Sequence, residues 1–222
     1  MQLDIQIASQ LLSELPCPSV VADFGCGTAR LARQLIGGGH RFLNIDLSQH
    51  MLQQAFGKDH ERVLSVQMNL VEMSALKDDC LDFGMCLFSS IGMIRGKANR
   101  LEFLQHVHRA LKPRASLLVH VHNRYHRLSD PGSLFWLTKS RLKSWLSRDT
   151  EYGDRVYGYR GLPNMYLHIF SWRELTHLFN QAGFIDLQLK PIDSHGEKIR
   201  SNGRWLNSWR TGGYFVIARK SG

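Results

Sequence analysis

Short apolar runs alternate along the chain with segments whose apolar residues recur at helical spacing. This alternation is typical of an α/β domain with a mostly parallel sheet, in which buried strands are separated by amphipathic helices. The runs that predict strands lie at 20–22, 42–45, 63–66, 83–88, 116–122, 185–189 and 214–218. Because no internal repeat or composition shift divides the chain, we expect one domain over residues 1–222.

The helical segments are recognised by apolar spacing and by residues that begin or end helices. The spacing predicts helices over 4–15, 31–36, 51–55, 101–111 and 172–182. Ser48 can cap the third of these, and Pro113 is expected to end the fourth.

The alternation breaks after the fifth strand, over residues 124–164. This segment is basic and aromatic and shows no clean strand pattern, so we interpret it as an inserted lid over the substrate. Its cations and aromatic side chains are Arg124, Arg127, Lys139, Arg141, Lys143, Arg148, Arg155, Arg160, Trp136, Trp145, Tyr152, Tyr157 and Tyr159. Such residues can clamp phosphates and stack bases. An amphipathic helix that covers an apolar pocket with Leu134, Leu137, Leu142 and Trp145 is the other interpretation.

Composition and charge narrow the class of protein. Apolar residues make up 43% of the chain, as in ordinary globular proteins, and no apolar run is long enough to cross a bilayer. The N-terminus lacks the pattern of a secretory signal, so we expect a cytoplasmic protein without a membrane partner. The four cysteines have no metal-binding spacing, and no metal is expected. The formal charge of +9 favours an anionic partner or substrate, although an ordinary basic protein would carry it too.

A glycine loop follows the first predicted strand, where open α/β sheets bind nucleotides. Gly25 permits a tight turn, and Gly27 lets the backbone approach a ligand. Arg30 stands where a dinucleotide-binding loop needs a small residue, and the Lys-Ser/Thr of a phosphate-binding loop is absent. The carboxylate of Asp23 would repel a pyrophosphate but suits a cation such as the ammonium of S-adenosylmethionine. Asp46, at the end of the second strand, can accept hydrogen bonds from ribose hydroxyls or help to cap the next helix.

These motifs resemble motifs I and II of the class I S-adenosylmethionine-dependent methyltransferases. The stretches 20–28 and 44–48 carry the likeness, and 81–83 and 110–113 extend it. The resemblance implies a Rossmann-like seven-stranded sheet with one antiparallel strand, helices on both faces and S-adenosylmethionine as cofactor. It places Asp23, Gly25, Cys26 and Gly27 at the methionine end, Asp46 and Leu47 at the ribose, Asn69 and Leu70 at the adenine, and Phe88 and Ser89 at the sulfonium. Family members have Asp more often than Asn at position 69.

The methyl acceptor is not named by any motif. If the acceptor must lose a proton, His122 or His168 can serve as the base. The Pro-rich motif of DNA amino-methylases and the Pro-Cys of cytosine C5-methylases are absent. Residues 166–170 are similar to a stretch of tRNA wobble-uridine methyltransferases, and basic and aromatic residues recur over 198–210. We therefore expect a small-molecule acceptor, which the charge allows to be anionic. RNA is the alternative, and a non-catalytic cofactor-binding module is a third hypothesis.

Overall fold

A computed structural model of the chain describes residues 2–55, 61–126, 132–147, 149–159, 161–200 and 211–222. Its main sheet has seven strands in the order β3-β2-β1-β4-β5-β9-β8, which confirms the Rossmann-like α/β fold. The strands are β1 (Val20–Phe24), β2 (Arg41–Asp46), β3 (Val63–Gln67), β4 (Leu81–Cys86), β5 (Leu111–His122), β8 (Phe184–Ile192) and β9 (Gly213–Lys220). Only β9 in this sheet runs antiparallel to its neighbours, β5 and β8.

Helices pack on both faces of the sheet. Their bounds are α1 (Gln2–Ser13), α2 (Arg30–Leu35), α3 (Gln49–Ala55), α4 (Ser90–Met93), α5 (Lys97–Ala110), α6 (Ser133–Leu146) and α7 (Trp172–Gln181). On one face, Phe103 of α5 and Phe179 of α7 join a core with Phe24 of β1. On the other face, Leu12 of α1 packs in a core with Phe42 of β2. Strand residues alternate between these two cores because successive side chains point to opposite faces.

Two predicted boundaries around the fourth and fifth strands were wrong. The predicted helix over 101–111 ends at Ala110, and Pro113 lies inside β5 rather than after a helix. The pairing of β4 with β5 shifts register between Leu81 and Phe83. Proline is tolerated at such an irregularity, because no regular ladder hydrogen bond is required of it there. The predicted fourth strand also ends earlier, at Cys86, which leaves Phe88 in the turn before α4.

The segment 124–164 contains more regular structure than its sequence predicts. After α6, strands β6 (Asp154–Tyr159) and β7 (Leu162–His168) form a separate two-stranded antiparallel sheet. The prediction of a segment without strands was therefore wrong. Of the four apolar residues expected to cover a pocket, only Leu137 is buried, while Leu134, Leu142 and Trp145 are exposed. Arg127, Arg148 and Arg160, and residues 201–210 of the second basic stretch, lie outside the described residues.

Candidate functional site

The glycine loop lies between the carboxyl ends of β1, β2 and β4. The Gly25 N–H donates to the carbonyl oxygen of Ile45 at 2.8 Å. At a φ of +73°, a Cβ on Gly25 would meet the Ser90 side chain at 2.8 Å. Glycine is required there by both conformation and space. Gly27 also has a positive φ, of +56°, but no atom lies within 4 Å of its would-be Cβ. The loop thus has an open side at Gly27, where a ligand can approach the backbone.

Two carboxylates stand beside this loop. Asp23 is buried, and its Oδ2 has no hydrogen-bond partner among the described residues. Burial, and then the charge of Asp46, raise the pKa of Asp23 to about 7. Asp46 accepts hydrogen bonds from the N–H groups of Gly27 at 2.7 Å and Ser48 at 2.9 Å. Each carboxylate oxygen has a second lone pair, so Asp46 can still accept from a ligand. A buried, unpartnered carboxylate beside an open glycine backbone fits the cationic methionine end of S-adenosylmethionine.

Asn44 is a site residue that the sequence analysis missed. It pairs in register with Asp23 across β1 and β2 and is fully buried. Neither its amide nitrogen nor its amide oxygen has a partner among the described residues. Asn44 thus adds a second buried polar group without a partner next to the Asp23 carboxylate. A polar residue within the otherwise apolar stretch 42–45 was the available signal.

The remaining cofactor candidates surround the same edge of the sheet. The side chain of Leu70 comes within 4.0 Å of the would-be Cβ of Gly25, so it borders the loop. Asn69 turns its Oδ1 back to accept from the Val71 N–H at 3.3 Å. Leu47, directly after Asp46, is 65% exposed. Burial, followed by the charges of Asp23 and Asp46, raises the pKa of the Cys26 thiol, so this residue stays uncharged.

Phe88 and Ser89 form the tight turn between β4 and α4, with positive φ angles of 53° and 63°. The Arg30 guanidinium lies 4.7 Å from the centre of the Phe88 ring. Ser89 is buried, and its hydroxyl oxygen accepts from the His122 N–H at 3.3 Å. The sequence placed both residues at the cofactor sulfonium. In the structure, Ser89 joins the cofactor side of the sheet to the end of β5.

A cavity of about 1140 Å³ opens beside the end of β5. Its wall comes from β5 and the turn after it, from α6, and from β6 and β7. The charged and imidazole side chains that line it are Arg95, Arg124, Lys139, Lys143, Arg155, His122, His126, Asp149 and Asp154. Five of these side chains are cations and two are anions. Arg124 and Asp154 are already held in ion pairs. The cavity thus has a surplus of positive charge, carried on residues of the 124–164 segment and on Arg95.

His122 is the predicted base that faces this cavity. His122 is exposed, and its side chain lines the cavity. Desolvation, and then the charges of His120 and His126, lower the pKa of His122 to about 4. The ring is therefore neutral near neutral pH and can accept a hydrogen bond or a proton from a molecule in the cavity.

His168, the other predicted base, is fully buried in an ion network. Its Nδ1 lies 2.7 Å from an oxygen of Asp154, and its Nε2 lies 2.7 Å from an oxygen of Glu174. Arg124 also pairs with Glu174. For both ring nitrogens to donate, each must carry a proton. His168 thus has no free nitrogen to offer an acceptor, and its geometry is that of a positioning residue rather than a general base.

Glu151, Asp154 and His168 bring possible metal-ligating atoms within 4.8 Å of one another. Arg100 pairs with Glu151, and the Tyr166 hydroxyl donates to Asp154 at 2.7 Å. Because each member is engaged in this way, the grouping is part of the ion network rather than an open cation site.

The sequence analysis named His168 but missed its two carboxylate partners. Glu174 has a recognisable signal, because Ser171 and Glu174 form a capping box at the start of α7. Asp154 has none, since its role depends on the pairing of β6 with β7, which brings it opposite His168.

Comparison with known proteins agrees with this geometry. Residues 21–114 match the family described as methyltransferase domain. Over 115 residues the chain is 29% identical to YqeM of Bacillus subtilis (strain 168), whose name assigns it provisionally to the methyltransferases. This alignment covers 51% of the chain and 46% of YqeM, so the match spans about half the length of that relative.

Solved structures share the fold along nearly the whole chain. A SAM-dependent methyltransferase from Methanosarcina mazei matches with a TM-score of 0.69 at 18% identity, covering 95% of this chain and 96% of its own. The 1,6-didemethyltoxoflavin-N1-methyltransferase of Burkholderia thailandensis matches with a TM-score of 0.59 at 20% identity, covering 98% and 78%. Phosphoethanolamine N-methyltransferase 2 of Haemonchus contortus matches with a TM-score of 0.67 at 13% identity, and the alignment covers 97% of this chain and 52% of that enzyme.

Residues 21–114 thus match a methyltransferase domain, and the seven-stranded sheet has the fold of the solved SAM-dependent methyltransferase from Methanosarcina mazei. S-adenosylmethionine is the cofactor of such domains, and the glycine loop offers an open backbone at Gly27 and one Asp23 oxygen without a partner among the described residues.

Proposed function

We propose that this chain transfers a methyl group from S-adenosylmethionine to a small anionic acceptor bound in the cavity beside β5. The observation that carries the proposal is the surplus of cationic side chains around a cavity that meets the cofactor edge of the sheet. The hydrogen bond from the His122 N–H to the Ser89 hydroxyl joins these two places. The proposal agrees in kind with structural relatives named for small-molecule acceptors, namely didemethyltoxoflavin and phosphoethanolamine.

The cofactor contacts belong to the same proposal. Asp23 holds the ammonium of the methionine end, Asp46 accepts from the ribose hydroxyls, and the backbone at Gly25 and Gly27 lies against the ligand. Leu47 and Leu70 provide apolar contact, with Asn69 at the adenine. The support for these roles is the unpartnered Asp23 oxygen and the open side of Gly27.

Bound S-adenosylmethionine supplies an electrophilic methyl on a sulfonium, which is transferred by in-line displacement. The protein holds the acceptor against that methyl, and such positioning can lower the barrier by up to about 7–11 kcal/mol. Lys143 and Arg155 orient the anionic group of the acceptor. If the nucleophile carries a proton, the neutral His122 ring accepts it, since this ring faces the cavity.

Label transfer tests the proposal. Radiolabelled S-adenosylmethionine is incubated with the protein and a fractionated cell extract, with and without ribonuclease. Label confined to small extractable compounds supports the small-molecule acceptor. Label in large, ribonuclease-sensitive material favours the RNA alternative, for which the contacts of Arg155 with Trp136 and of Arg95 with Tyr166 would provide basic and aromatic surface. No transfer by a protein that still binds S-adenosylhomocysteine would favour the non-catalytic cofactor-binding module.

Paired variants locate the acceptor. Lys143→Gln removes one cation from the cavity wall and should raise the KM for an anionic acceptor about tenfold, the scale of one charge-assisted hydrogen bond. Lys77→Gln, at an exposed position outside the cavity, is the matched control and should leave the KM unchanged. An equal effect of both substitutions would show that the charge acts through the field of the whole molecule rather than in the cavity.

A further inference from the structure

Helix α6 exposes five large apolar side chains to solvent and turns three serines, Trp136 and Leu137 toward the protein. The inward positions are Ser133, Trp136, Leu137, Ser140 and Ser144, all buried or half-buried. The apolar residues of the outer side and their exposed fractions are Leu134 65%, Phe135 71%, Leu142 55%, Trp145 84% and Leu146 75%. A surface helix normally buries its apolar stripe. Here the stripe has no partner among the described residues, although it belongs to one of the cavity walls.

The charges on α6 are placed on both borders of this stripe. At about 100° per residue, the five outer apolar residues fall within an arc of about 120°. Arg141 lies on one border of the arc and Lys139 on the other, while Lys143 lies about 60° from the arc, toward the cavity. The helix contains no acidic residue. An arc of Leu, Phe and Trp between basic borders is the pattern of a helix that lies in the surface plane of an anionic bilayer.

We propose that α6 docks the protein peripherally on an anionic membrane surface. The apolar stripe enters the boundary between headgroups and acyl chains, and Lys139 and Arg141 contact the lipid phosphates. Charge complementarity favours an anionic membrane over other partners. A protein partner would cover the apolar stripe without needing cations on both of its borders. The phosphate backbone of RNA would pair with the cations but has no apolar surface for the five apolar side chains. No helix of the described residues is long and apolar enough to span a membrane. Docking in the surface plane requires no such helix.

Docking would place the cavity at the lipid surface. The helix that carries the stripe also lines the cavity, through Trp136, Leu137, Lys139, Ser140 and Lys143. A helix seated in the headgroup layer therefore has its opposite side in the acceptor cavity. The proposal concerns this surface alone and does not depend on which acceptor is methylated.

Vesicle flotation tests the docking directly. The full chain is mixed with vesicles of phosphatidylcholine alone, or with vesicles in which about a third of the lipid is phosphatidylserine. Binding to the anionic vesicles, with little binding to the neutral ones, is expected. The double variant Leu142→Ser/Trp145→Ser should lower the partition coefficient at least about tenfold, and Arg141→Glu should lower it several-fold on anionic vesicles.

A matched control separates this helix from general surface hydrophobicity. Leu64→Ser/Ile185→Ser replaces two apolar residues that are 62% and 44% exposed on the edge strands β3 and β8. It should bind vesicles like the parent protein. Each variant is also titrated with S-adenosylhomocysteine, so that a folding defect is distinguished from lost docking. Absence of binding to anionic vesicles, or equal loss in both double variants, would overturn the proposal. So would a concentration-dependent dimer that only the α6 variant abolishes, because a second copy would then cover the stripe.

Discussion

Asp23 carries a conflict between stability and ligand binding at the scale of a single residue. Burial, and then Asp46, raise its pKa to about 7 from the usual value of 3.8. The folded protein therefore holds a proton at this carboxyl that the unfolded chain has lost, between about pH 4 and pH 7. As the pH rises through that window, this group lowers the free energy of unfolding. The same ionised carboxylate is what a cationic ligand needs.

We expect Asp23→Asn to separate these two effects. Because the amide cannot ionise, the apoprotein should melt at a higher temperature than the parent at about pH 8, and at a similar temperature at about pH 5. Its affinity for S-adenosylhomocysteine should fall at least about tenfold, since the charge-assisted hydrogen bond is lost. Thermal melts at the two pH values and calorimetric titration measure both. Asp186→Asn, at an exposed position, is the control and should change neither. Unchanged ligand affinity in Asp23→Asn would contradict its role at the methionine end.

His122 makes a prediction about the pH dependence of the reaction. Desolvation lowers its pKa to about 4, so the ring is already neutral at about pH 5. For an acceptor that must lose a proton, the rate should show no inflection from His122 near pH 6.5. His122→Asn should lower kcat by about 10²–10⁴ with unchanged binding of S-adenosylhomocysteine. His177→Asn, on the exposed side of α7, provides the comparison. An unchanged kcat in His122→Asn would show that His122 shapes the cavity and does not act as a base.

At the scale of elements, the ion network around His168 joins parts of the chain that are distant in sequence. Asp154 begins β6, His168 ends β7, Glu174 lies in the first turn of α7, and Arg124 follows β5. Burial by itself would raise the pKa values of Asp154 and Glu174. The hydrogen bonds from His168 outweigh burial and lower both pKa values. The network therefore fixes the small two-stranded sheet to the main fold.

Removal of the histidine should release this sheet. His168→Ala leaves the Asp154 and Glu174 carboxylates without the imidazole that contacts both, and we expect a loss of about 3–5 kcal/mol in the free energy of unfolding at neutral pH. A carboxyl group whose pKa is lowered by folding stabilises the folded protein at any pH above the group's ordinary pKa. This contribution is lost as the pH falls through the lower pKa of the folded state. The difference between parent and variant should therefore shrink below about pH 4. Denaturant titrations across this range measure it, with His177→Ala as the exposed control. A difference under about 1 kcal/mol at neutral pH would show that other contacts hold the sheet in place.

At the scale of the whole molecule, ligand binding to the loop between β1, β2 and β4 should stabilise the entire fold. A ligand at about 100 times its Kd adds about 2.7 kcal/mol to the free energy of unfolding. For a chain of 222 residues this corresponds to a rise of about 5–10 °C in Tm. S-adenosylhomocysteine should produce that rise in the parent protein, and Asp46→Ala should reduce it. NADH at the same concentration should produce none, because Arg30 occupies the small-residue position of a dinucleotide loop. A rise with NADH alone would contradict the cofactor assignment.

The sequence by itself determined the order along the chain of the seven strands of the main sheet and the place of the glycine loop after β1. Both depend on local patterns, since buried parallel strands are short apolar runs and a glycine loop needs its glycines at fixed spacing. The same holds for Ser48, whose hydroxyl accepts from the Met51 N–H at 3.3 Å as the predicted cap. Helix ends were less well determined, as Ala110 and Pro113 show, because the pairing of β4 with β5 decides where the fifth strand begins.

Only the tertiary structure decided the surroundings of the two histidines and the orientation of α6. His122 and His168 have the same ionisable group, but one faces a cavity and the other lies between two carboxylates brought together by strand pairing. The apolar stripe of α6 has the spacing of a helix that packs on a core, and spacing alone does not show which side faces the protein. These differences arise from contacts between residues far apart in sequence, and local spacing and propensity carry no information about such contacts.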